Sequence, residues 1–157
     1  MTEKTFFVVR IRGGIDAQKT VKDTLTMLRM EKNNYATLIR DSPSYSGMLR
    51  KVKDYVTWGE PTSDVVKILL EKRGKLVGDA KITEEALKKL GHESLDALAN
   101  AITLGEVEFS QINGIKPFFR MHPPKKGFKR TVKRHYNDHG ELGYRGEAIN
   151  ELIKRMC

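Results

Sequence analysis

Cysteine is all but missing from this chain of 157 residues: Cys157, the last residue, is the only one. No intramolecular disulfide is therefore available, which suits a reducing compartment. Long apolar runs are missing too, and nothing approaches the ~20 residues that a membrane-spanning helix needs. Met1 to Thr5 leads straight into a strand-like segment, with no signal-peptide hydrophobic stretch. These absences predict a soluble, cytoplasmic protein. The most local absence is of acid, since no Asp or Glu occurs from Phe109 through Asn137.

That acid-free gap is full of base. Residues 115–136 hold eight Lys or Arg, interleaved with Phe118, Phe119, Phe128 and Tyr136 and punctuated by Pro117, Pro123, Pro124 and Gly127. Prolines lack the N–H and the dihedral freedom of a helix interior, so the segment reads as an extended, partly pinned arm. A solvated charged loop usually mixes signs and lacks the aromatics. A field of one sign repels itself unless a polyanion neutralises it, and phosphate backbones are the usual polyanion.

Net charge is +9, unevenly spread: residues 1–61 carry +4, 62–108 carry −2 and 109–157 carry +7. The charge divides the chain into a core at 1–61, a helical extension at 62–108, and a basic arm with a closing helix at 109–157, together one compact unit. At this length the chain can bury a real core.

Phe6–Arg12 reads as a strand with Phe7, Val9 and Ile11 on one face; the other carries Phe6 and Val8, then turns polar at Arg10 and Arg12. Gly13 and Gly14 break it, and Asp16 can cap a helix over about 17–30 with Val21, Leu25 and Leu28 as its apolar stripe. Tyr35–Arg40 is a second strand, a second helix starts at Ser44 with Met48, Val52 and Tyr55 on one stripe, and Val56–Trp58 is a third strand. The expected fold class is α+β: a small β-α-β-α-β core with both helices on one face of a three-stranded sheet. Trp58, where a strand meets its exit loop, reads as a packing residue.

Beyond 61 the pattern predicts helices over 64–73, 84–90 and 95–103, capped by Ser63, Thr83 and Ser94, with Leu87 and Leu90 inward in the second. Glu106 and Glu108 fit one face of a short strand, and Glu147–Met156 makes a closing helix on Ile149, Leu152 and Ile153. No repeat or low-complexity tract occurs.

Catalytic and metal chemistry find little to work with. Gly13 and Gly14 lack the spacing of a phosphate loop. His135 and His139 are four apart, but a structural zinc site wants a second close pair, and His122 and Cys157 do not supply one. No serine sits in a nucleophile-elbow setting, and Glu84 and Glu85 belong to a helix first turn, where the macrodipole favours acids. No enzyme activity, cofactor, metal or small-molecule substrate is expected.

Six stretches occur in an order that resembles a known family: Val9–Gly13, Thr24–Leu28 and Asn34–Ile39, then Tyr45–Pro61, the most specific, then Phe119–Gly127 with Gly143–Met156. Together they resemble the large-subunit ribosomal protein family numbered thirty, in its longer archaeal form, whose eukaryotic relative is numbered seven. The resemblance covers essentially the whole chain. It implies an antiparallel core sheet in strand order 3-1-2, similar to ferredoxin-like folds, with 62–157 as the archaeal-type extension. It also implies a structural constituent of the large ribosomal subunit that binds ribosomal RNA, with neighbouring ribosomal proteins as further partners and no catalytic role. A transient assembly factor and a protein-interaction module are the competing classes. Charge and position, not the family, nominate the RNA-binding residues: Arg10, Arg12, Arg50, Lys51, Lys53, Lys116, Arg120, His122, Lys125, Lys126, Phe128, Lys129, Arg130, Lys133, Arg134 and His135.

Overall fold

Strand β1 (Thr5–Arg10) is an inner strand in a computed structural model that describes residues 5–13, 15, 17–89, 91, 93–112 and 114–157. Gly14, Asp16 and Leu90, to which the sequence pattern assigns a turn, a cap and an inward face, fall outside the described residues. Helix α1 (Lys19–Met27) comes next, then β2 (Tyr35–Arg40), α2 (Pro43–Val52) and β3 (Val56–Gly59). Ser42 does more than end β2: its hydroxyl accepts the Tyr45 N–H at 3.3 Å, and Pro43 occupies the first helical position, where its missing N–H costs nothing.

The remaining elements are α3 (Ser63–Arg73), α4 (Glu84–Lys89), α5 (Leu95–Thr103), β4 (Phe119–Arg120), β5 (Thr131–His135), β6 (Gly140–Tyr144) and α6 (Ile149–Met156). Thr62, one residue before the expected cap, caps α3. Glu106 and Glu108 lie outside any strand, and a 3-10 turn, Phe109–Gln111, comes directly after them.

The class is α+β, but the sheet has six strands rather than three, in the order β4-β2-β1-β3-β6-β5. β2, β1 and β3 are its antiparallel centre, with Phe7 opposite Leu38 on one side and Gly59 on the other. β4 adds antiparallel to β2, while β6 adds parallel to β3 and β5 parallel to β6. The extra strands come from the segment that the sequence presents as an extended arm. That arm is docked: Ile115, Phe119 and Met121 are buried in the core, and Phe119 stacks on Phe109 at 4.9 Å between ring centres.

Successive side chains of β1 point to opposite faces, and both faces are covered. Phe7, Val9, Ala36 and Leu38 pack against Leu69, Leu98 and Ile153 of the later helices. Val8 and Ile39 pack on the other side against Leu25, Leu28, Leu49 and Val52. The face that turns polar in sequence is thereby closed, and Arg10 is inside with it, 7% exposed. Its Nε donates to the Arg12 carbonyl at 3.1 Å, and its Nη1 donates to the carbonyls of Met30 at 3.1 Å and Glu31 at 2.7 Å. A buried guanidinium needs such acceptors, and here they pin the turn after α1 to the sheet.

Candidate nucleic-acid interface

Strand direction decides where the cations go. β1 is antiparallel to both neighbours, so the end where β1 finishes is the end where β2 and β3 begin. β6 and β5, parallel to β3, begin there too, and β4 finishes there with Arg120 opposite Tyr35. Backbone bonds tie this end together: Asn34 N to Arg10 O at 2.7 Å, Met121 N to Asn34 O at 2.9 Å, and Ile11 N to Tyr55 O at 3.0 Å. The C-terminus of α6 reaches the same end, where His122 N donates to Met156 O and Lys125 N to Arg155 O, each at 2.9 Å.

Most of the nominated residues therefore gather along one end of the sheet. Arg120 and Lys116 stand at the β4 edge, each about 5.9 Å from the centre of the Phe118 ring, which stacks on Tyr35 at 5.5 Å. Arg12 lies 5.7 Å over Tyr55. Arg50, Lys51 and Lys53 are exposed at the C-terminal end of α2, where the helix macrodipole favours cations. His135 on β5 holds Asp54 at 2.9 Å, which brings the far edge of the sheet to the α2–β3 turn. Between the edges, His122, Lys125 and Lys126 are exposed, the lysines on a turn closed by Gly127 N to Pro124 O at 2.9 Å. The guanidinium of Arg155 holds that turn, donating to the carbonyls of Lys125 and Gly127. Lys133 and Arg134 are exposed on β5. Six strands make five spacings of ~4.8 Å, so the band is ~24 Å wide.

Four nominated residues are placed differently. Arg10 is buried, with its Nε and Nη1 donors spent on carbonyls inside the fold. Phe128 is half-buried against the core, so its ring serves packing first. Lys129 and Lys116 are exposed or half-exposed but paired, with Glu151 at 2.8 Å and Asp79 at 2.5 Å. Each lysine holds its partner's carboxyl below the ordinary range, by hydrogen bond first and by charge second. Such exposed pairs contribute little to stability.

The sequence reading missed Tyr35, Tyr55 and Arg155, and it singled out Tyr136 as an aromatic of the basic arm without nominating it as a site residue. Tyr35 and Tyr55 sit where a strand starts, a position that marks the strand end once the topology is known and nothing before. The other end of the sheet carries the opposite sign: Tyr144 stands among Glu60, Glu147 and Asp41, and its hydroxyl donates to Glu60 at 3.2 Å. Burial first, and these carboxylates second, push the Tyr144 phenol above its ordinary range.

Residues 6–56 match the family model described as ribosomal protein L30p/L7e. The chain is 47% identical to the large ribosomal subunit protein uL30 of Ignicoccus hospitalis, over 99% of both chains. It is 44% identical to uL30 of Nanoarchaeum equitans over 96% of this chain and 97% of that one. With uL30 of Archaeoglobus fulgidus it shares 45% identity over 96% and 99%. The chain belongs to the uL30 family. The family model ends at the start of β3, whereas the archaeal uL30 relatives run on through the helical layer and the outer strands that build the basic end.

Proposed function

We propose that the protein is a structural constituent of the large ribosomal subunit that binds ribosomal RNA along the basic end of its sheet and has no catalytic role. The observation that carries this reading is the convergence of cations from five separate parts of the chain on one end of one sheet, with acids at the other. A field of that shape orients the molecule on a polyanion as well as attracting it. Lys and Arg heads neutralise phosphates of strands that would otherwise repel, and the Tyr35–Phe118 pair offers an aromatic surface to an unpaired base or a shallow groove. Neighbouring ribosomal proteins are further partners, and the site of action is the ribosome in the cytoplasm.

Salt dependence tests the reading. With several phosphates neutralised, log K against log[salt] slopes by about −0.7 to −0.9 per contact; a slope near zero favours a protein partner instead. Sedimentation of subunits through a high-salt gradient separates a resident component, which stays with the large subunit, from a visiting assembly factor, which is stripped away.

A further inference from the structure

Between α6 and the chain carrying β5 and β6 lies a cavity of about 210 Å³. That is several times the ~30 Å³ share of one water. Four cations, Lys129, Arg130, Arg145 and Arg155, and two carboxylates, Glu141 and Glu151, line it.

Both carboxylates are already engaged. Glu141 accepts the Arg130 backbone N–H at 3.0 Å through one oxygen and Arg145 Nη2 at 2.8 Å through the other. Glu151 takes Lys129 at 2.8 Å. Arg130 and Arg155 form no ion pair among the described residues, and their side chains donate only to carbonyl oxygens, Arg130 to Tyr136 at 3.4 Å and Arg155 to Lys125 at 3.0 Å and to Gly127. Arg130 and Arg145 both lie against the Tyr136 ring, 5.0 and 5.1 Å from its centre. With Arg145 matched by Glu141 and Lys129 by Glu151, Arg130 and Arg155 leave the lining two positive charges in excess, which an anion with several oxygens corrects. Planar guanidinium forks suit such oxygens in pairs.

We propose that this cavity seats a single phosphate group of an RNA backbone, with Arg130 as its principal ligand and Arg155 and Lys129 beside it. The inference rests on the RNA-binding reading and adds an address to it. A backbone phosphate is favoured over a peptide carboxylate because Arg155 of the lining also holds the turn that carries Lys125 and Lys126, so positive charge continues beyond the cavity as a polymer of phosphates requires.

The experiment is a titration of the full chain with inorganic phosphate against chloride at constant ionic strength, read on the arginine Nε–Hε resonances. Arg130, Arg145 and Arg155 shift and saturate together, Arg50 on α2 does not, and Arg130→Gln removes the response while keeping the wild-type thermal midpoint. In the same variant the salt slope of RNA binding falls by about one contact, ~0.7–0.9. Shifts that rise linearly and are shared with Arg50 overturn the proposal, as does acetate saturating the site as tightly as phosphate, which would make it a carboxylate seat. A wild-type protein with steep salt dependence and an Arg130→Gln protein with the same slope overturn the seat alone. Absence of salt-dependent RNA binding in the wild type overturns the RNA reading itself and the seat with it.

Discussion

The side chains of Glu141 and Arg145, four residues apart, are 6% and 5% exposed, and they show how far a single residue's role depends on chain brought from elsewhere. Arg145 Nε also donates to the Thr57 hydroxyl at 2.8 Å, and that hydroxyl donates to the Gly143 carbonyl at 2.8 Å, so the pair clamps β6 onto β3. Burial lowers the Arg145 pKa, and Glu141 opposes that by hydrogen bond and by charge. Glu141→Gln leaves the guanidinium buried without its counter-charge, which typically costs about 3–5 kcal/mol; urea unfolding should show the midpoint falling with the slope unchanged. No sequence pattern announces this clamp, since Thr57 lies 88 residues before Arg145. Asp79, exposed and paired with Lys116, behaves differently. Its folded pKa is depressed, so its contribution is complete above the unfolded value of about 3.9 and is lost as pH falls through the folded one. Lys116→Ala should move the Asp79 carboxyl back toward its ordinary titration, followed by NMR; the small stabilisation that this exposed pair gives is lost near neutral pH, and variant and wild type converge in acid.

Helices and inner strands were legible in the sequence because their periodicity is local. Tyr35–Arg40 and Leu95–Thr103 match the bounds read from pattern and caps, and Leu25, Leu28 and Val52 face inward as their spacing requires. The outer strands were not legible. β4 is two residues long beside Pro117, and β5 carries Lys133, Arg134 and His135 in a run whose charge hides its alternation. A strand of that kind is made by its neighbour, here β2 or β6, rather than by its own propensity. The segment therefore has two functions on two faces of one backbone, and substitutions separate them. Phe119→Ala removes a fully buried ring stacked on Phe109 and should cost about 3–5 kcal/mol, read as a lower urea midpoint. Replacing Lys125, Lys126, Lys129 and Arg130 together by Ala should weaken RNA binding many-fold while moving the thermal midpoint little. All four are exposed, and the single ion pair lost, Lys129 with Glu151, is exposed as well. A quadruple variant that unfolds would mean that the charges, and not only the backbone, hold this layer in place.

At the scale of the molecule, one sheet is shared by two helix layers made at different points along the chain. α1 and α2 cover the Val8 face, and α3, α5 and α6 cover the Phe7 face. The basic end is a product of the same arrangement: β1 to β3 supply its middle, and the later segment supplies both edges. Residues 1–61 form a unit in sequence, yet one face of their sheet is closed by helices that all lie beyond residue 61. Released alone, that segment would expose Phe7, Val9, Ile11 and Leu38, all now at most 6% exposed. At ~1.5–3 kcal/mol for each large apolar side chain, it forgoes roughly 6–12 kcal/mol of burial, comparable with the ~5–15 kcal/mol that holds a whole domain together. The expected outcome for a fragment of residues 1–61 is a chain without a cooperative thermal transition that binds the dye ANS and regains structure only when residues 62–157 are added back. Cooperative unfolding of the fragment with no dye binding would show that the first helix layer suffices, and that the second serves the basic end rather than the core.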